Sequence, residues 1–132
     1  MGSGGGCVSG LTLPIIAAMD KQSLKLISEE DFQKAVCAYA GSCGYLVHYQ
    51  RRSGFIGKDG TWKGSGPAGF PDVVLAKNNR NPVFVELKTE RGRLRPDQVD
   101  WMETLGAVYH RVWRPRNARE IIDELGMVYT QA

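Results

Sequence analysis

The chain has 132 residues, 42% of them hydrophobic and 23% charged, with a formal net charge of +3. That length holds one domain with one modest core, and the composition is that of a soluble globular fold rather than a disordered or fibrous one. No run approaches the roughly 18 apolar residues of a membrane span, so weak a charge does not by itself mark a nucleic-acid binder, and three cysteines (Cys7, Cys37 and Cys43) without a CxxC pair suit neither a disulfide framework nor a zinc site.

Residues 1–10, Met-Gly-Ser-Gly-Gly-Gly-Cys-Val-Ser-Gly, have the composition of a flexible linker. The apolar stretch 11–19 is short and has no basic segment before it, which argues against a secretory signal and places the protein in the cytoplasm. Residues 1–20 are therefore expected to form a flexible N-terminal segment, and residues 21–132 a single domain. Ser28 is suited to cap a helix, with Asp31 at the third helical position completing a weaker capping box. Phe32, Ala35, Val36 and Tyr39 then recur at helical spacing, and Gly41 to Gly44 ends the helix.

Residues 45–49 read as a strand. A long loop follows over 50–69, with six glycines and the basic residues Arg51, Arg52, Lys58 and Lys63; loops this long in a compact domain are usually functional or disordered. Residues 70–76 (Phe-Pro-Asp-Val-Val-Leu-Ala) and 82–88 (Pro-Val-Phe-Val-Glu-Leu-Lys) carry the short β-branched runs of strands buried on both faces, joined by a turn at 77–81. A basic loop over 89–95 contains Arg91, Arg93 and Arg95 and leads to Pro96 and Asp97, a good helix start. Val99, Met102 and Leu105 give that helix an apolar face, and Gly106 ends it. Residues 107–113 read as a fourth strand and 117–125 as a last helix. The order α-β-β-β-α-β-α describes an α/β fold, a mixed central sheet flanked by helices. The third and fourth strands are joined through a helix and should be parallel.

The chemistry collects on the second and third strands. The short turn between them implies an antiparallel hairpin, and alternation puts Glu86 and Lys88 on one face, with Val83, Val85 and Leu87 on the other. A register that pairs the start of one strand with the end of the next brings Asp72 to Glu86. Clustered carboxylates repel each other and are costly to desolvate. A divalent cation relieves both costs, and so few hard oxygen ligands suit Mg²⁺ or Mn²⁺, which keep waters and accept phosphate oxygens. Lys88 is then placed to orient or activate an attacking water and to oppose charge developing on phosphate. A lone Pro-Asp is usually a strand start, and a lone Glu-x-Lys usually an ion pair; their combination between basic segments is far more specific.

With these residues the sequence resembles the PD-(D/E)XK nuclease superfamily, and more narrowly the virus-type replication-repair nuclease (VRR-NUC) family in its small stand-alone phage and bacterial form. The matching residues run from Ser28-Glu29-Glu30-Asp31-Phe32-Gln33 through Gly44-Tyr45-Leu46-Val47-His48 and Gly69-Phe70-Pro71-Asp72. They continue with Val85-Glu86-Leu87-Lys88, Gly92-Arg93-Leu94 and Gln98, and end at Trp113-Arg114-Pro115, so the likeness covers about residues 28–125. The resemblance implies a restriction-endonuclease-like core and metal-dependent hydrolysis of DNA phosphodiesters. It casts Asp72 and Glu86 as metal ligands and Lys88 as the catalytic lysine. Glu29 matches the family's additional acidic residue, with Glu30 the alternative one position away, and Gln98 matches a glutamine at the catalytic site. Gln33 and His48 match as well, but equally suit packed polar residues. The loop before Gly69 is longer and richer in glycine than the family pattern.

The resemblance further implies a homodimer acting on branched or junction DNA, with Arg51, Arg52, Lys58, Lys63, Arg91, Arg93 and Arg95 as phosphate contacts of salt-sensitive affinity. A third basic group, Arg111, Arg114, Arg116 and Arg119, adds to this charge. Two other readings are a sequence-specific restriction-type nuclease, for which the chain leaves little room, and a non-catalytic DNA-binding module that keeps the fold.

Overall fold

The computed structural model describes residues 10–49, 55–56, 58–60, 62–63 and 69–126. Two short helices open it, α1 (Leu13–Ala17) and α2 (Lys21–Leu24), capped by the side chains of Thr12 and Asp20. Helix α3 (Glu29–Ser42) starts where expected: the Ser28 hydroxyl accepts the Asp31 N–H at 3.0 Å, and Glu29, Glu30 and Asp31 place negative charge at the positive end of the helix dipole. Strand β1 (Leu46–Tyr49) follows; β2 (Phe55–Ile56) and β3 (Trp62–Lys63) then pair with each other as a separate antiparallel hairpin. The stretch expected to be loop throughout thus contains a small two-stranded unit.

The main sheet is completed by β4 (Val73–Ala76), β5 (Val83–Leu87) and β6 (His110–Trp113), in the order β1-β4-β5-β6. β1 and β4 run antiparallel, as do β4 and β5, while β5 and β6 run parallel. The long helix between the parallel strands is α4 (Pro96–Tyr109), and after a 3₁₀ turn at Pro115–Asn117 the described residues end with α5 (Ala118–Gly126). This mixed four-stranded sheet flanked by helices is compatible with a restriction-endonuclease-like fold. Gly106, at φ +79°, interrupts α4 where a glycine stop was expected, but one more turn intervenes, so β6 begins at His110 rather than at residue 107.

One sheet face is apolar. Val73 and Leu75 lie opposite Val85 and Val83, and these four side chains with Leu87 are buried beneath Phe32, Ala35 and Val36 of α3 and Ile121 and Leu125 of α5. Leu13 and Ile16 of α1 are fully buried in the same cluster. Residues 1–9 of the segment expected to be flexible lie outside the described residues; within the rest of it, Leu13 and Ile16 belong to the core. A five-residue helix is too short to hold itself in water, so it is the burial of Leu13 and Ile16 against α5 and α3 that orders it.

The other face is covered by α4, which packs on β5 and β6. Phe70 ties this layer together, edge-on to Phe84 of β5 (6.2 Å between centroids) and to Trp101 of α4 (4.9 Å). Next to it Gly69 has φ +78°, and a Cβ there would come within 2.7 Å of the Asp97 backbone. Only glycine combines that dihedral with so close an approach to α4.

Candidate active site

The β4–β5 register, with Val73 opposite Val85, sets Asp72 across from Glu86, as the hairpin reading expects. Asp72 sits just before β4 and is fastened to the neighbouring strand: its Oδ2 accepts the Leu87 backbone N–H at 3.0 Å. Glu86 is 1% exposed, and Lys88 and Gln98 are also buried. Alternation turns Glu86 and Lys88 to the α4 side, away from Val85 and Leu87. Lys88 continues the pairing past the end of β5, where its backbone N–H donates to the Trp113 carbonyl at 3.0 Å.

Gln98, one turn into α4, connects the helix to the carboxylates. Its Nε2 donates to Glu86 Oε2 at 2.8 Å, and its Oε1 accepts the Arg95 backbone N–H at 2.8 Å. The same side chain therefore caps α4 and grips Glu86. The second Glu86 oxygen, Oε1, is buried without a hydrogen-bond donor.

The electrostatics follow from this crowding. Burial, then a hydrogen bond that only the protonated Glu86 can donate to Asp72, and then the negative charge of Asp72, push the Glu86 carboxyl up to about 9; the Lys88 ammonium pulls it the other way, and the charge of Glu29 adds to the rise. Glu29, at the start of α3, is thus the helix acid whose field reaches the site. Glu30 points away, exposed, 3.7 Å from Lys34. Among the described residues, no three His, Cys, Asp or Glu side chains converge in a group that could hold a metal by themselves. What fits a cation here is the pair: two adjacent carboxylates, one of them sealed from water with an oxygen that no donor satisfies. Buried polar atoms are otherwise nearly always satisfied.

Of the basic residues expected to meet DNA, Arg91, Arg93 and Arg95 are exposed on the loop that leaves Lys88, with Arg95 paired to Asp97 at 3.3 Å. Lys58 is exposed at the tip of the β2–β3 hairpin. Arg51, Arg52 and the Lys63 side chain lie outside the described residues. Most of the third basic group is engaged within the fold. Arg111 pairs with Glu124 of α5 (3.1 Å), and Arg116 lies 3.8 Å from Glu90. Arg114 donates through one nitrogen to the carbonyls of Thr89 (2.7 Å) and Gly92 (2.6 Å). It pins the turn just after Lys88, where a Cβ on Gly92 would come within 3.4 Å of the lysine side chain. The sequence reading missed this role for Arg114. A signal existed in the parallel register, Leu87 beside Trp113, which places the next residues of both strands side by side.

His110 is a further buried polar residue on this face, on β6 opposite Phe84, with Nδ1 lacking a partner; burial, and then the charge of Arg111, hold its pKa below the ordinary value. His48 and Gln33, to which the sequence resemblance pointed, stand apart: His48 is exposed on β1 and Gln33 half-buried on α3.

The family model of the VRR-NUC domain matches residues 62–111. The matched segment runs from β3 to the start of β6 and contains Asp72, Glu86, Lys88 and Gln98. It is a nuclease domain family, and the match covers the sheet hairpin, the basic loop and α4, though not Glu29 or the stretch around Gly44 to His48. No curated protein and no solved structure matches the chain.

Proposed function

We propose that the protein is a divalent-metal-dependent DNA endonuclease that hydrolyses phosphodiester bonds at the Asp72–Glu86–Lys88 site. The observation that carries this reading is the buried pair of carboxylates beside a buried lysine, within the segment matched by a nuclease family. Asp72 and Glu86 would hold Mg²⁺ or Mn²⁺, with water and phosphate oxygens completing the coordination, as these ions accept. Such an ion supplies neutralising charge at the phosphate and acidifies water.

The chain's own groups supply the rest. Lys88 brings its ammonium to the same face as the carboxylates, where it opposes charge developing on phosphate and orients the attacking water. Attack of the water oxygen at phosphorus, with loss of the 3′ oxygen, leaves a 5′-phosphate and a 3′-hydroxyl. Gln98 holds Glu86 in place and Arg114 holds the turn after Lys88; both act on the catalytic groups rather than on substrate. Arg91, Arg93 and Arg95 project from that turn and meet the backbone phosphates, a contact weakened by salt. Glu29 adjusts the field around the cation. By the family resemblance, the substrate is branched or junction DNA, the enzyme works as a homodimer, and it acts in the cytoplasm of a bacterial or phage-infected cell. Among the described residues no helix is long and apolar enough to cross a membrane.

The test is cleavage of supercoiled plasmid and of a labelled four-way junction with Mg²⁺, with Mn²⁺ and with EDTA. Metal-dependent cutting is expected, faster on the junction, and Lys88→Ala should lower it by roughly 10²- to 10⁴-fold. Salt-sensitive DNA binding with no cutting under either metal would leave a binding module on a nuclease fold.

A further inference from the structure

The two oxygens of Glu86 stand in different surroundings. Oε2 accepts the Gln98 amide at 2.8 Å, while Oε1 is buried with no donor. Gln98 is not at liberty to release its grip. Its Oε1 is held by the Arg95 N–H at 2.8 Å, its own backbone N–H donates to Asp97 Oδ1 at 2.9 Å, and the residue is 3% exposed. Turning the amide over would set oxygen against carboxylate and NH₂ against N–H, so the hydrogen-bond network fixes its orientation. Across the hairpin the Leu87 N–H likewise occupies one oxygen of Asp72, at 3.0 Å.

A carboxylate held this way has one oxygen turned to the amide, with one of its two lone pairs already used, and the other oxygen left to face a cation. We propose that Gln98 is a specificity-determining positioning residue, which by holding Oε2 confines Glu86 to one-oxygen ligation and so favours Mg²⁺ and Mn²⁺ over Ca²⁺. The inference rests on the cation-binding reading given above. Its physical basis is the difference between the ions. Mg²⁺ demands a small, near-octahedral shell and is content with single carboxylate oxygens and waters. Ca²⁺ gathers more oxygens at longer range, often both oxygens of one carboxylate. Freeing Oε2 lets Glu86 turn and present both, which aids the larger ion more than the smaller.

Two variants separate this role from simple support of the fold. Gln98→Glu keeps the acceptor for the Arg95 N–H and replaces the donor with a carboxylate oxygen. Gln98→Met keeps the length and removes both polar groups. Mn²⁺ binding to the full chain is followed by the electron paramagnetic resonance signal of the free ion, and Ca²⁺ binding by its competition with Mn²⁺, with circular dichroism as the check on folding. Neither readout requires DNA or turnover. The wild-type chain should bind Mn²⁺ in preference to Ca²⁺, and each folded variant should narrow that preference by about tenfold, the scale on which groups that orient a metal ligand act. If wild type binds Mn²⁺ and the folded variants keep its preference within about twofold, well short of that scale, the role assigned to Gln98 is wrong and the cation reading survives. If wild type binds neither ion, both fall.

Discussion

The two faces of the central sheet are built on opposite principles. Beneath α3 and α5, Val73, Leu75, Val83, Val85 and Leu87 pack with other hydrocarbon, and nothing on that side needs a partner beyond close contact. Beneath α4, the same two strands carry Asp72 and Glu86, with Lys88 just beyond, and the buried Glu86 and His110 each keep an atom without a hydrogen-bond partner. The apolar face gains free energy from every residue it buries. The polar face gives some of it back, since a buried ionisable group must be neutralised, paired or bound to an ion. The difference teaches where the fold is held and where it is made to work: strand alternation lets one ladder of residues serve both ends, because neighbours about 3.3 Å apart along the strand face opposite ways.

The comparison can be broken first on its apolar side. Leu75→Ala removes a fully buried side chain and should cost about 2–5 kcal/mol, read as a lowered urea midpoint. A loss close to zero would mean that α3 and α5 do not depend on this face as described.

The polar side should respond to pH instead. The Glu86 carboxyl is raised from its ordinary value of 4.5 to about 9 in the folded chain. Below 4.5 both the folded and unfolded chains hold this proton, and Glu86 costs nothing. Between 4.5 and 9 the unfolded chain releases it while the folded chain retains it, so the contribution of Glu86 to stability falls as pH rises through that window. His110 works in the other direction, its lowered pKa costing stability as pH falls below the ordinary histidine value of 6.5. In EDTA, the urea midpoint of wild type should drop between pH 7 and pH 9 by more than that of Glu86→Gln. Equal slopes would show that Glu86 is not the group being titrated.

The sheet hairpin was legible in the sequence because two strong local signals agree. The turn between the strands is short, with Asn79 taking up the positive φ that it needs, and the alternation of valine and leucine admits a single register. Asp72 opposite Glu86 follows from those two facts. The start of α4 was equally readable from Pro96, and its break from Gly106. What escaped notice depends on distant partners. Leu13 and Ile16 follow a glycine-rich run and form too short a helix to announce itself; their burial is decided by α5, at the other end of the chain. Arg114 looked like one more surface charge, because its partners are the backbone carbonyls of Thr89 and Gly92, which carry no side-chain signature. The β2–β3 hairpin was hidden by glycines that weaken any strand pattern. Gln98 was placed near the site by resemblance alone, and its double hydrogen bond to Glu86 and the Arg95 N–H required the fold.

The central claim is that Glu86 is a cost to the fold that a cation offsets. Thermal melting of wild type and Glu86→Gln at pH 8, each in EDTA and in Mg²⁺, tests it most directly. The variant should melt above wild type in EDTA, and Mg²⁺ should raise the melting temperature of wild type while leaving the variant nearly unmoved. A variant that melts below wild type in EDTA, with no response of wild type to Mg²⁺, would contradict it.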